Sequence, residues 1–457
     1  MPAPPGFPVP LRWVMPLYRL LWYVGLPGVL VYLWWRGRRD PAYARHWSER
    51  LGGGGGALPA GAVWVHAVSL GETRSAIPLV RGLLARGETV VTTHLTPAGR
   101  RAAEAAFAAE RAAGRVTVRY LPVEQGWAWR RLLRRARAKL ILSLEIEIWP
   151  VMIAEAARAG VPLWLVNSQV PERSLPRAMR VARWLGHPVA GVAGVLAKSD
   201  RHADRFRALG ARNVHVTGEL RFDQQVPEAH LDAAATLADA AGLRARGVVA
   251  VASVVAGEDR TYLDAIEAVQ REAARDGVAP PLFVYVPRAP ERFTQTGDGL
   301  ERAGQRVLRR SQSLDDALAL RDDPQALSGA DILLGDSMGE MYFYLALADA
   351  VVIGGGFVPK GAHNVIEPLS LQKPVLVGPH VWTIEYPGRE AQAAGVLEVC
   401  DTQAQLARRL SALLHDRATI DGRRDRVQAF LQTHAGATAR SLQVLAPVLD
   451  GGGGDAG

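Results

Sequence analysis

Cysteine occurs once, at Cys400, so this chain can build neither an internal disulfide framework nor a cysteine-cluster metal site. Lysine is scarce as well, and nearly all of the 54 basic residues are arginine. Against 45 acidic residues they leave a formal charge of +9, which favours anionic partners: phospholipid, nucleotide or nucleic acid. No zinc-finger spacing and no RNP-type aromatic run accompanies that charge, so nucleic acid has no motif to support it. An Ala-x-Ala cleavage site is missing after the N-terminal apolar run, and the basic cluster follows that run instead of preceding it. A cleavable signal peptide has the opposite order.

What is present starts with size. At 457 residues and 49% hydrophobic, the chain exceeds one ordinary core and predicts two α/β domains of roughly 200 residues each. Trp13 to Trp35 is apolar except for Arg19, and Arg36, Arg38 and Arg39 follow at once. That pattern predicts a membrane segment. Its length suits a span of about 20 residues, whereas Pro16, Gly25, Pro27 and Arg19 equally suit a kinked segment embedded in one leaflet. In either geometry the arginine cluster places the rest of the chain on the cytoplasmic side, and tryptophans and tyrosines crowd the segment like an interfacial belt.

Gly52 to Gly56 reads as a flexible connection. Beyond it, short β-branched runs alternate with amphipathic Ala/Arg/Leu-rich stretches, the pattern of a doubly wound α/β fold. Strands are expected at 63–67, 89–94, 116–120, 140–144, 163–167, 194–197 and 214–217, then, after a polar stretch at 224–246, at 248–251, 282–286, 332–334, 351–353 and 375–377. Continuous apolar runs suit parallel sheets covered on both faces. Two such halves in tandem predict a cleft, with chemistry just beyond the strands' carboxyl ends. The expected divisions are an anchor and basic flank at 1–45, an N-terminal domain at 46–225, a C-terminal domain at 226–450 and a loose tail at 451–457.

Several strand ends carry chemistry. HAVSLGE (66–72) places Glu72 in the first turn of a helix, where the helix terminus is expected to favour the ionised carboxylate that a general base needs. The other reading is a first-turn charge partner. LEIEIWP (144–150) offers Glu145 and Glu147, which point the same way if the strand continues. They serve either a site or a solvated strand end. NSQVPERS (167–174) adds Glu172 and Arg173. In VPRAPERF (286–293), Arg288 and Arg292 can grip phosphate or carboxylate. GDSMGE (335–340) and Gly354 to Gly356, with Pro359, Lys360 and Gly361, form glycine turns whose N–H groups can approach a phosphate. In HNVIEP (363–368), Asn364 and Glu367 match a capping box, or Glu367 accepts from a ribose diol.

HAVSLGE, EIEIWP, NSQVPERS, GELRFD, VPRAPERF, GDSMGE and VPKGAHNVIEP, in this order behind an N-terminal anchor, resemble the 3-deoxy-manno-octulosonic acid (Kdo) transferases of lipopolysaccharide synthesis over nearly the whole chain. The resemblance implies a GT-B fold of two Rossmann-like domains facing a cleft, CMP-Kdo as donor and a tetra-acylated lipid A precursor, lipid IVA, as acceptor. It further implies inversion at the anomeric carbon with no metal or cofactor, and residence at the cytoplasmic face of the inner membrane against its phospholipid. On it, Glu72 matches the catalytic base, with Ser69, Arg74, Glu145, Glu147 and Arg173 on the acceptor side. Ser253, Pro287, Arg288, Met338, Gly339, Glu340, Gly355, Lys360, Asn364 and Glu367 fall in segments around the donor. Two positions depart from the pattern: Ser253-Val254-Val255 stands where Ser-Thr-His is usual, and Gly356 where Ser or Thr is usual. A GT-B enzyme using a UDP-sugar and a membrane-tethered binding protein with a degenerate site are the competing readings. Intact Glu72 and the arginines of VPRAPER argue against the latter.

Overall fold

The computed structural model describes residues 6–54, 56, 58–321 and 326–451. It opens with helix α1 (Val9–Gly37), through which Pro16 and Pro27 run without ending it. Phe7, Leu11 and Met15 are buried in the first domain's core beside Val151, Met152 and Val189. Trp13, Leu20, Leu21, Val24 and Val31 stay exposed. Arg19, the charge inside the apolar run, reaches the wholly buried carboxylate of Glu155 at 2.9 Å. One face of α1 thus docks on protein and the rest presents apolar surface, which makes the helix a candidate membrane anchor.

The chain divides into two compact units. In the first, β1 (Val63–His66), α2 (Leu70–Ala85), β2 (Val90–His94), α3 (Pro97–Ala106), β3 (Val116–Tyr120), β4 (Leu140–Leu144), α4 (Pro150–Arg158), β5 (Leu163–Ser168), α5 (Leu175–Leu185), β6 (Gly194–Ala197) and β7 (Val214–Val216) follow one another. Their parallel sheet runs β3-β2-β1-β4-β5-β6-β7. In the second, β8 (Val248–Val254), α6 (Asp259–Arg275), β9 (Leu282–Pro287), β10 (Val307–Arg309), β11 (Ile332–Leu334), β12 (Ala350–Ile353), α7 (Ile366–Ser370), β13 (Val375–Val377) and β14 (Leu397–Val399) give the parallel order β10-β11-β9-β8-β12-β13-β14. All the strands that the sequence predicts form, and they are largely buried except for β7, where Val216 is exposed. β10 and β14 were not expected; both are three-residue edge strands, partly solvated, and their VLR and LEV lack a continuous apolar run.

Two expectations are corrected. The second domain was expected to run to 450, but from Ala435 the chain returns to the first unit. Helix α8 (Ala437–Asp450) buries Leu445, Val448 and Leu449 with Leu79 and Leu83 of α2. Gly82 lets it approach, since a Cβ there would lie 2.6 Å from Leu442. Asp223, in GELRFD, accepts from the N–H groups of Gly436 and Thr438 at 2.7 and 2.6 Å and so caps α8. Gly52 to Gly54 are not a loose connection: the Gly53 N–H donates to Ser48 O at 2.7 Å, and Gly52 packs on Ala128 with φ 74°. Gly55 and the expected tail beyond Gly451 lie outside the described residues.

Candidate active site

In a doubly wound sheet, ligands bind beyond the carboxyl ends of the strands where the winding reverses. In the first unit that point lies between β1 and β4, which pair with His66 opposite Ser143. The β1–α2 loop carries Glu72 and the β4–α4 loop carries Glu145 and Glu147, so the reversal gathers three carboxylates.

Glu72 is tied into its helix start. Ser69 is the N-cap and its Oγ accepts from the Glu72 N–H at 3.3 Å, while the hydroxyl donates to Glu72 Oε1 at 3.1 Å. Glu72 Oε2 accepts from the Val68 N–H at 2.7 Å. This is capping-box geometry, with the carboxylate bonded one residue further back than the N-cap. The helix terminus was expected to keep Glu72 ionised; instead burial pushes its pKa up to about 7. The Val68 N–H opposes that rise, and the charges of Glu145 and Glu147 add to it. Desolvation prevails because the carboxyl is enclosed beside two like charges. His66 and His94 end β1 and β2, and burial holds their pKa values at about 4 and about 3, so both rings are neutral.

Glu145 and Glu147 do not extend the strand as expected. β4 ends at Leu144, and Glu145 turns in the left-handed region with φ 55°. Glu147 accepts from Trp149 Nε1 at 2.7 Å, and burial raises its pKa. Arg74 and Arg173 are exposed. Sequence reasoning missed Lys198, Glu219 and Arg221, which surround Glu145. Arg221 Nη2 lies 2.9 Å from Glu145 Oε1, and the buried Lys198 Nζ lies 2.7 Å from Glu219 Oε2. GELRFD was the only signal for Glu219 and Arg221, and none pointed to Lys198.

The second unit reverses between β8 and β12. Ser253 sits at a bulge near the end of β8 with φ 61°. Glu258, which sequence reasoning also missed, is wholly buried and accepts from the N–H groups of Val255, Gly355 and Phe357 at 3.2, 2.7 and 3.0 Å. The Gly355 amide is therefore already bonded, contrary to the expectation that this turn offers its N–H groups to a phosphate. Gly356 has a steric reason: a Cβ there would lie 2.6 Å from the Gly378 nitrogen. Val254 and Val255, where polar residues are usual, are buried.

Arg292 is engaged by the Asp259 carboxylate and by Val254 O, so of the two guanidinium groups in VPRAPER only that of Arg288 remains for a ligand. Arg288 is exposed. Partial burial of its head lowers its pKa and Glu367 opposes the drop. Beside them, His363 is pulled down to about 4 by burial and then by the charges of Arg288 and Lys360. Its Nε2 is a buried ring nitrogen with no hydrogen-bond partner among the described residues. Lys360 Nζ donates to Ala256 O at 3.3 Å. Asn364 Oδ1 accepts from the Ile366 N–H at 3.0 Å in an Asx turn, so Asn364 is not the expected N-cap; that position falls to Val365. α7 has five residues, too few for much of a terminal field. Glu340 is gripped bidentately by Arg310 at 2.7 and 2.6 Å. Gly339 is left-handed at φ 94°, Met338 is exposed, and Pro287 ends β9 in the core.

A family model described as 3-Deoxy-D-manno-octulosonic-acid transferase (kdotransferase) matches residues 45–224. A 3-deoxy-D-manno-octulosonic acid transferase from Bordetella pertussis is 37% identical over 436 residues, 93% of this chain and 98% of that protein. The chain belongs to the 3-deoxy-D-manno-octulosonic acid (Kdo) transferase family. It is a glycosyltransferase. A second Kdo transferase, from Haemophilus influenzae, is 27% identical over 95% of this chain and 98% of its own length. The fold is similar to that of a glycosyltransferase from Rickettsia africae, with a TM-score of 0.57 at 9% identity, covering 85% of this chain and 98% of the other. Both units accordingly have the parallel α/β architecture of GT-B enzymes.

Proposed function

We propose that this Kdo transferase takes CMP-Kdo as donor and a tetra-acylated lipid A precursor, lipid IVA, as acceptor in lipopolysaccharide synthesis, inverting the anomeric centre with Glu72 as general base. The observation that carries the reading is Glu72 itself, held by the Val68 N–H and Ser69 at the winding reversal with its pKa near 7. A base titrating near the working pH is half-free to accept a proton and still strong enough to take one. Glu72 removes the proton of the acceptor hydroxyl as that oxygen bonds to the ketose carbon, and the bond from this carbon to the CMP phosphate breaks. Arg288, Lys360 and the unpartnered His363 Nε2 supply positive charge and a hydrogen bond for the departing phosphate.

The lipid side is supported by two surfaces of the first unit. α1 exposes an apolar face, and α5 exposes Met179, Val181 and Trp184 among Arg177, Arg180 and Arg183, with no acidic residue along its length. Such a helix suits an anionic membrane surface. The reading places the catalytic units at the cytoplasmic face of the inner membrane, with domains divided at about residues 45 and 225 as the sequence predicts, apart from the returning C-terminal helix. Incubating the protein with lipid IVA and either CMP-Kdo or a UDP-sugar, then weighing the lipid by mass spectrometry, tests it. A mass gain of one or more Kdo units with CMP-Kdo alone is expected; gain with the UDP-sugar alone contradicts it.

A further inference from the structure

The carboxyl ends of β4 to β7 carry buried charges that the proposed chemistry does not use. Lys198, just past β6, is 2% exposed; its Nζ lies 2.7 Å from Glu219 Oε2 and 3.8 Å from Glu145 Oε1. Glu219 also accepts from Asn167 Nδ2 at 2.8 Å, and Asn167 Oδ1 takes the Leu220 N–H at 2.9 Å. Arg221 returns to Glu145 Oε1 at 2.9 Å. Glu145 is further pinned by its own N–H to Val166 O at 2.9 Å and by Ser168 Oγ, which donates to its carbonyl at 2.6 Å. Two cations and two anions thus link across four strand ends, and the Arg221 N–H, which donates to Glu219 Oε1 at 3.4 Å, closes the ring.

Stability alone is a weak reason for such a ring, because desolvating each ion costs several kcal/mol, and apolar side chains of similar volume often serve as well. The ring's particular effect is to hold a non-glycine residue in the left-handed region, which costs about 1 kcal/mol or more without such support. That residue is Glu145, at the winding reversal whose other loop carries Glu72. We propose that the Lys198–Glu219 pair is a positioning element for the transfer reaction: it clamps the Glu145 turn and thereby fixes the negative charge that Glu72 faces. The inference rests on Glu72 being the base.

Other charged groups approach Glu72's helix from each element packed on it. Glu147 lies beside Glu145; His66 and His94 are neutral. Arg100 on α3 is paired with Glu49 and Glu104. In the turn 220–223, Arg221 bonds Glu145 and Asp223 caps α8, whose Arg440 donates to Thr217 O. Arg74 sits on α2 itself and is exposed. Glu219 is buried, which alone would raise its pKa, but Lys198 and then Arg221 hold it at about 2, so it stays charged throughout the working range.

The test is the pH profile of Kdo transfer in the full chain. Lys198→Gln removes a positive charge and should move the acidic limb of turnover to higher pH, by roughly half a unit for one charge screened by intervening side chains. Glu219→Gln removes a negative charge and should move it to lower pH by a similar amount. The double variant Lys198→Gln/Glu219→Gln keeps the net charge but loses the clamp, so its limb should stay displaced from the wild-type position; a limb that returns there marks a charge effect alone and overturns the proposal. Arg221→Gln, at a partly exposed side chain, should shift it upward even where a buried single variant fails to fold. Opposite shifts in the two single variants are a signature that mere destabilisation does not produce. An unmoved limb in Arg221→Gln and in the folded variants overturns the proposal. A wild-type limb persisting in Glu72→Gln would instead remove Glu72 as the base, so the two failures are distinguishable.

Discussion

At the scale of single residues, Glu72 is both a helix cap and the proposed base, and the two roles conflict in a measurable way. Its folded-state pKa of about 7 lies above the ordinary 4.5, so the fold favours the protonated form. That contribution is fully present below about pH 4.5 and is lost as pH rises through about 7. Glu72→Gln keeps the hydrogen bond from Val68 without the charge. It should match wild-type thermal stability at pH 5 and exceed it at pH 8 by about 1–2 kcal/mol, discounted for partial exposure. Thermal unfolding at the two pH values checks this. Arg288→Ala should weaken competition by CMP by about 2 kcal/mol, the loss of one charged hydrogen bond, read as a rise in the CMP inhibition constant. The spacing S-x-x-E behind a strand made Glu72 legible in the sequence, since all its capping partners lie within four positions. Lys198, Glu219 and Glu258 were not legible, because their partners are 21 to 99 positions away, except for the local bonds of Glu219 and Glu258. Only the fold brings such groups together.

At the scale of elements, α1, α5 and α8 carry the testable claims. Asp223→Ala removes the cap of α8 and should cost about 1–2 kcal/mol, with amide exchange accelerating first across Ala437–Asp450. Replacing Arg177, Arg180 and Arg183 by serine should weaken binding to anionic vesicles by roughly 1 kcal/mol each while leaving CMP inhibition unchanged, as vesicle sedimentation would show. Deleting residues 1–39 would remove Phe7, Leu11 and Met15 from the core, so a cleaner test of anchoring is Leu21→Ser with Val24→Ser on the exposed face. Strands with unbroken apolar runs were readable because burial on both faces demands them. β10, β14 and the return of α8 were not: VLR and LEV carry no apolar run, and an amphipathic helix does not say which sheet it covers.

At the scale of the whole molecule, each sheet reverses its winding where the candidate residues lie, Glu72 and Glu145 in one unit and Ser253 and the glycine turn in the other. The alternation of strand and helix made that architecture legible, and seven motifs in order made the family legible, because each motif follows a strand whose position the fold requires. The charge states were not legible. They depend on burial and on neighbours such as Glu145 and Glu147, which is why the expectation of an ionised Glu72 failed. The most direct measurement of the central claim is turnover of CMP-Kdo and lipid IVA by Glu72→Gln against wild type, followed by mass spectrometry of the lipid at several pH values. The account predicts a fall of roughly two to four orders of magnitude with CMP inhibition intact, and a wild-type rate that rises with pH through about 7. Near-normal transfer by Glu72→Gln would contradict it.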